Sequence, residues 1–80
     1  MSLEEANKIV TMSLSYSPEG WYWVIDTHTP YGEIIGYNKY PIAGGAALEL
    51  KYFLRYFSES VLKDGDTIRK YVEKHKPEKE

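Results

Sequence analysis

An alternation of apolar and hydroxyl-bearing side chains runs from residue 10 to residue 17. Its apolar members are Val10, Met12, Leu14 and Tyr16, and the residues between and after them are Thr or Ser. A period of two is typical of a β-strand with one buried face and one face in water. Residues 17–20 contain Pro and Gly, and residues 21–25 are all aromatic or aliphatic. The pattern therefore predicts a β-hairpin.

The register of this hairpin decides which face of the sheet carries Trp21 and Trp23. A four-residue turn places Leu14 opposite Trp23, and both tryptophans then belong to the core. A three-residue turn with a glycine bulge places Ser15 opposite Trp23 instead, which moves both tryptophans to the hydroxyl face. Because burial of two indoles is strongly stabilising, the first register is favoured, although the second stays open.

Weaker signals predict the elements on either side of the hairpin. Ser2 and Glu5 have the spacing of a capping box, which indicates a short helix over residues 3–8. An extended segment over residues 33–40 is predicted as a third antiparallel strand. Gly36 within it indicates a bulge or a close backbone approach.

A longer helix is predicted over residues 46–63, because its apolar residues recur at spacings of three and four. These residues are Ala46, Ala47, Leu50, Phe53, Leu54, Phe57 and Val61, and the apolar sector is widened by Leu48, Tyr52, Tyr56 and Leu62. Glu49 is assigned to the opposite, charged side. Residues 43–45 are interpreted as a flexible connection, and a last helix is predicted over residues 68–76.

Together these elements predict one α+β domain spanning residues 1–80. Its expected architecture is a three-stranded antiparallel β-meander, packed on one face by a long α-helix, with short N- and C-terminal helices. Residues 77–80 are expected to form a disordered tail. A chain of this length has a small core, so an oligomer interface is an expected source of further stability.

Composition narrows the classes of function. The net charge is −2 and there is no cysteine, so the chain lacks a strong basic field, a disulfide framework and a thiolate metal site. No apolar run approaches the length of a membrane span, and no leader pattern begins the chain. We therefore expect a cytoplasmic protein that does not bind a membrane.

Asp26 and His28 are the main candidates for acid–base chemistry, since both would share one face of a strand. A solvated strand end is the more common reason for such a pair. The two histidines lie far apart in the chain, which disfavours a metal site. The sequence thus predicts a protein that is not an enzyme, with no catalytic residues, no metal and no cofactor.

Aromatic residues make up 15% of the chain, mostly tyrosine, and they exceed what one small core needs. This excess predicts a non-enzymatic interaction module, a homodimer that also binds a partner protein through the open sheet face and the edge of the long helix. The predicted binding residues are Tyr22, Val24, Tyr31, Tyr37, Lys39, Tyr40, Tyr52 and Tyr56. The alternative is a single-stranded nucleic-acid-binding protein that uses the same aromatics with Lys39, Arg69 and Lys70.

The order helix, three strands, helix is similar to that of double-stranded RNA-binding domains. Residues 46–50, Ala-Ala-Leu-Glu-Leu, stand where those domains carry a lysine cluster, which argues against membership. Residues 12–60 loosely resemble HicB-type antitoxins in element order but lack their Pro-x-Leu-Pro-Gly loop. The sequence therefore assigns the chain to no family.

Overall fold

The computed structural model describes residues 2–74. In chain order the elements are α1 (Leu3–Ala6), β1 (Thr11–Ser17), β2 (Gly20–Asp26), β3 (Glu33–Ile35), α2 (Ala43–Leu54), α3 (Glu59–Leu62) and α4 (Gly65–Lys74). The strands form an antiparallel sheet in the order β1-β2-β3, and residues of all the helices pack into one core cluster with its inner face. The predicted α+β meander is confirmed. The predicted tail over residues 77–80 lies outside the described residues.

The hairpin adopts the first of the two predicted registers. Leu14 lies opposite Trp23 and Met12 opposite Ile25, so the alternation along β2 directs Trp23 and Ile25 into the core. Both are fully buried, whereas Trp21 near the turn is only half-buried. The apolar side of β1 therefore sets the register, as the sequence pattern indicated.

Gly20 closes the hairpin turn for two separate reasons. Its φ of 133° is a backbone conformation that side-chain-bearing residues rarely adopt. A Cβ atom at this position would also lie 2.6 Å from the carbonyl oxygen of Tyr40, since Trp21 and Tyr40 exchange backbone hydrogen bonds. The absence of a side chain at Gly20 therefore lets the backbone of Tyr40 pack against the hairpin turn.

The third strand is much shorter than predicted. It ends at Ile35, and extended pairing resumes only as the isolated bridge between Trp21 and Tyr40. Gly36 separates the two segments: its N–H donates to the Trp23 carbonyl at 2.9 Å, and a Cβ there would lie 2.7 Å from the indole nitrogen of Trp23. The predicted third antiparallel strand and the close approach at Gly36 are confirmed, but the strand spans Glu33–Ile35 and not residues 33–40.

The single helix predicted over residues 46–63 is wrong, because the segment forms two helices. The backbone N–H of Phe57 donates to Leu54 in a tightened last turn of α2. Ser58 then accepts from the Val61 N–H at 3.4 Å and starts α3, as serine commonly does at helix starts. The break lets Phe57 turn into the core, where it is 4% exposed.

Residues 43–45 are the first turn of α2 and not the flexible connection that was predicted. Gly45 packs beneath the ring of Tyr40, where a Cβ atom would lie 2.8 Å from the ring carbons. Glycine is therefore needed for close contact between α2 and the segment after β3. Gly45 is needed for this packing contact, and the helix forms although glycine has a low helix propensity.

The two terminal helices differ from prediction in their bounds. The capping box between Ser2 and Glu5 is confirmed, with bonds of 3.0 and 3.1 Å, but α1 ends at Ala6. The last helix begins at Gly65 because Asp64 accepts from the Asp66 N–H and the Thr67 hydroxyl. Residues 75 and 76 lie outside the described part of the chain.

Candidate functional site

The eight predicted binding residues do not form one surface. Tyr22 and Val24 alternate with the buried Trp23 and Ile25, so they lie on the open face, which is the side of the sheet turned away from the helices. Lys39 joins them there, with its Nζ 4.9 Å from the centre of the Tyr22 ring. Tyr22 is half-buried and Val24 only 8% exposed. The two strand residues predicted to bind on this face are therefore partly or largely covered.

Ile35 is the open-face residue that the sequence interpretation missed. It pairs with Val24 across the sheet, and its side chain is 51% exposed. The alternation with the buried Ile34 could have revealed it, because neighbouring residues of a strand point to opposite faces.

Tyr31 and Tyr37 lie beside α4. The Cβ and ring of Tyr31 cover Gly65 closely enough that a Cβ added to that glycine would lie 2.8 Å away. Loss of hydration raises the pKa of Tyr37, and the negative charge of Glu73 on α4 raises it further. The contacts of these two tyrosines are thus with the helical layer, away from Tyr22.

Tyr40, Tyr52 and Tyr56 form the third group, along one side of α2. The rings of Tyr52 and Tyr56 meet edge to face at 5.6 Å, and the Tyr56 hydroxyl donates to that of Tyr52 at 3.5 Å. The guanidinium of Arg55 lies 5.7 Å from the Tyr52 ring centre. The Tyr52 ring thus lies against both Tyr56 and Arg55.

Beside this third group, α2 carries a buried carboxylate that the sequence interpretation placed on the solvent side. Glu49 is 5% exposed. Its Oε1 accepts from the indole N–H of Trp23 at 2.8 Å, and its Oε2 accepts from the Asn38 amide at 2.6 Å and the Tyr40 hydroxyl at 3.1 Å. The carboxylate therefore joins β2, the segment after β3 and α2 by hydrogen bonds.

The helical spacing could have located Glu49. It lies three residues after Ala46 and four before Phe53, both of which are fully buried, so the period alone places it in the core sector. Its charge outweighed the period in the sequence interpretation. A buried indole N–H also requires a hydrogen-bond acceptor, and the sequence interpretation named no acceptor for Trp23.

Burial around Glu49 affects two of its partners. Loss of hydration raises the pKa of Tyr40, and the neighbouring carboxylate raises it further, so the hydroxyl is kept as a donor. Asn38 donates through its amide nitrogen, and its Oδ1 is buried without a hydrogen-bond partner among the described residues. The network thus consists of fixed donors around one acceptor group.

A groove of about 380 Å³ opens next to this network. We call it the helix-edge groove, and its lining residues are Tyr40, Gly45, Leu48, Glu49 and Tyr52. Among these lining residues, Leu48 is 69% exposed. The groove therefore combines aromatic and aliphatic walls with the carboxylate of Glu49.

Asp26 and His28 both make hydrogen bonds where the loop that follows β2 begins. The Asp26 carboxylate accepts from the backbone N–H of His28 at 3.1 Å, and the His28 ring bonds to the Thr11 hydroxyl at 2.6 Å. His28 itself has a φ of 58°, a left-handed conformation that the carboxylate contact supports. These bonds order the loop between β2 and β3.

Within residues 2–74, no group of three or more His, Cys, Asp or Glu side chains could hold a metal ion. The same residues include no helix with the length and hydropathy needed to cross a membrane.

Comparisons with protein-family models, with curated proteins and with solved structures returned no match.

Proposed function

We propose that this chain is a small non-enzymatic interaction module that self-associates and binds a partner protein. The observation that carries the proposal is the helix-edge groove with its exposed rim. Leu48, which lines this groove, is 69% exposed, and the core does not use it. An exposed aliphatic side chain beside an apolar groove is typical of a binding surface.

The groove suits one apolar side chain of a partner. Its volume of about 380 Å³ lies in the range of protein binding pockets, and most of its walls are apolar or aromatic. Glu49 already accepts hydrogen bonds from Trp23, Asn38 and Tyr40. A partner is therefore expected to insert an aliphatic or aromatic anchor, with polar contacts confined to the rim.

The open face is a second surface for the same function. Lys39 lies over the Tyr22 ring there, and Ile35 is 51% exposed. Since Val24 is nearly covered, a partner that binds there would contact chiefly Tyr22, Ile35 and Lys39. We rank this surface below the helix-edge groove.

A peptide library displayed on phage distinguishes these two surfaces. The wild-type protein is immobilised beside Leu48→Lys and Ile35→Lys, which introduce the same charge at two exposed positions. We expect enriched peptides to contain an apolar anchor, to retain binding to Ile35→Lys, and to lose at least about tenfold in affinity for Leu48→Lys, as expected for a hot-spot contact.

The opposite pattern, with binding lost only in Ile35→Lys, would assign recognition to the open face. Enrichment of no peptide on the wild type would contradict partner binding through either surface. Thermal melting of each variant checks that the fold is unchanged.

Single-stranded nucleic acid is the second ligand class, favoured by the cation that lies over the Tyr22 ring. The other two cations of that hypothesis are on α4, where Arg69 pairs with Glu73 and Lys70 pairs with Asp66. A labelled oligonucleotide tests the hypothesis: affinity should fall steeply with added salt and with Tyr22→Ala. Absence of binding at low salt would remove this ligand class.

A further inference from the structure

Beyond the contact between Met12 and Asn7, the outer edge of β1 is an open strand edge among the described residues. The segment Thr11–Ser17 contains no charged residue and no proline, and β2 pairs with only one of its sides. Natural edge strands are usually shortened, charged or bulged, because an open edge can pair with another chain. The opposite edge of the sheet follows that rule: β3 has only three residues and begins with the charged Glu33.

Hydrogen bonding defines which groups point outward from β1. The N–H of Met12 donates to the Asn7 side chain at 2.8 Å, so Met12 faces away from β2. Outward and inward residues alternate along a strand, and Leu14 and Tyr16 therefore also direct their N–H and C=O groups outward. Among residues 2–74, these groups of Leu14 and Tyr16 have no protein partner in the hydrogen-bond network.

We propose that β1 pairs antiparallel with β1 of a second copy of this chain, about a two-fold axis at Ser15. The inference rests on the self-association proposed above and specifies its interface. It joins the two sheets into one continuous sheet, with both helical layers on the same side, because a two-fold axis perpendicular to the sheet preserves the faces.

The register follows from which outward groups are available. An axis at Ser15 places Leu14 opposite Tyr16 of the second copy, on both sides of the axis, and each pair exchanges two N–H···O bonds. An axis at Leu14 or Ser13 would require the Met12 N–H, which already donates to Asn7. An axis at Tyr16 would place Leu14 opposite Pro18, which has no N–H.

The side chains fit this pairing. Tyr16 is 65% exposed and contacts Trp21 at a ring distance of 5.2 Å. In the proposed dimer its ring would lie beside the half-buried Leu14 of the second copy. On the open face Ser15 meets its own symmetry mate, and a small hydroxyl side chain permits that close approach. The second copy is thus the occupant that complements this edge.

Single-cysteine variants test the register, because the chain has no cysteine of its own. The Ser15 positions would form a non-hydrogen-bonded pair with Cα atoms about 4.5 Å apart, within disulfide range. Ser15→Cys should cross-link to a dimer under mild oxidant roughly ten times faster than Ser13→Cys, whose copies lie farther from each other across the axis. Equal rates, or faster cross-linking of Ser13→Cys, would overturn the register.

A proline substitution tests the edge by an independent route. Tyr16→Pro removes an outward N–H and leaves the bonds between β1 and β2 in place. Tyr16→Val removes the same ring but keeps the N–H. We expect Tyr16→Pro to weaken the dimer about tenfold more than Tyr16→Val in sedimentation. Equal dimer affinities would overturn edge pairing, and the cysteine pair decides the matter if Tyr16→Pro does not fold.

Sedimentation of the wild type separates this inference from the function proposed above. A species of twice the 9.3 kDa monomer mass with Ser15-specific cross-linking supports the edge interface. A dimer without that cross-linking leaves self-association standing and removes the β1 edge. A monomer at every concentration removes both, whereas the peptide selection on Leu48→Lys tests partner binding independently of either result.

Discussion

Helices α2 and α4 contribute to the same core but are attached to it by different forces. On α2 the buried Glu49 accepts hydrogen bonds from residues of β2 and the segment after β3. On α4 the buried side chains are Ile68 and Val72, and four charged side chains pair with one another in water: Asp66, Arg69, Lys70 and Glu73. Hydrogen bonds are directional, whereas apolar contact depends mainly on the area buried.

This difference shows why the helix-edge groove lies beside α2. Glu49 on α2 accepts a hydrogen bond from the Tyr40 hydroxyl, so two residues that line the groove are joined directly. An interaction surface that is already ordered loses less conformational entropy on binding. The apolar contacts of α4 impose no comparable restriction on its rotation.

The largest effect is expected where the directional contacts are disturbed. Glu49→Gln keeps the size of the side chain but replaces one acceptor oxygen by a donor that faces other donors. We expect a loss of about 3 kcal/mol in the free energy of unfolding, measured by urea denaturation. Glu59→Gln is the matched control, because Glu59 is exposed and forms an ion pair with Lys63 in water. Similar losses in the two variants would contradict the role assigned to the network.

The corresponding change on α4 should be milder. Ile68→Val removes one methylene from a fully buried side chain, and neighbouring apolar groups can partly fill the space. The expected loss is about 1 kcal/mol in the same urea experiment. A loss as large as that of Glu49→Gln would show that α4 is held as strictly as α2.

A smaller, pH-dependent effect is expected at the start of α4. The hydrogen bond from the Thr67 hydroxyl lowers the pKa of Asp64 in the folded protein. The stabilisation is therefore complete above the ordinary pKa of an aspartate and is lost as the pH falls through the lowered one. Asp64→Asn should flatten the acid side of the stability curve in thermal melts, and an unchanged slope would contradict the capping role.

The smallest effect is expected from the exposed ion pairs of α4. Arg69→Gln removes the contacts to Glu73 and Asp66, both of which lie in water and are weakened by salt. Its melting temperature should fall slightly at low salt and match the wild type near 1 M salt. A difference that persists at high salt would indicate that α4 depends on these charges.

The sequence was sufficient for the fold class and for the hairpin register, because both depend on periodic burial. Apolar and serine residues alternate along β1, and only one register places the apolar residues of β1 on the same face as Trp23 and Ile25. The break of the helix at Ser58 was not predictable from periodicity. The apolar spacing continues through Phe57 and Val61, and the capping contact of Ser58 is compatible with either outcome.

The candidate site was only partly predictable. Tyr40 and Tyr52 were chosen as exposed aromatics, and both line the helix-edge groove. Glu49 was missed because its charge was given more weight than its spacing from the buried Ala46 and Phe53. Periodicity did not indicate that Trp23 and Asn38, from distant parts of the chain, donate hydrogen bonds to it.

The position of the two tryptophans gives the molecule an internal optical reporter. Trp23 is inaccessible to water and bonded to Glu49, whereas Trp21 is partly open near the hairpin turn. Iodide should therefore quench Trp21 and leave the emission of Trp23 intact while the fold holds. Fluorescence from the Trp21→Phe variant then reports opening of the core alone, without a dye or a label.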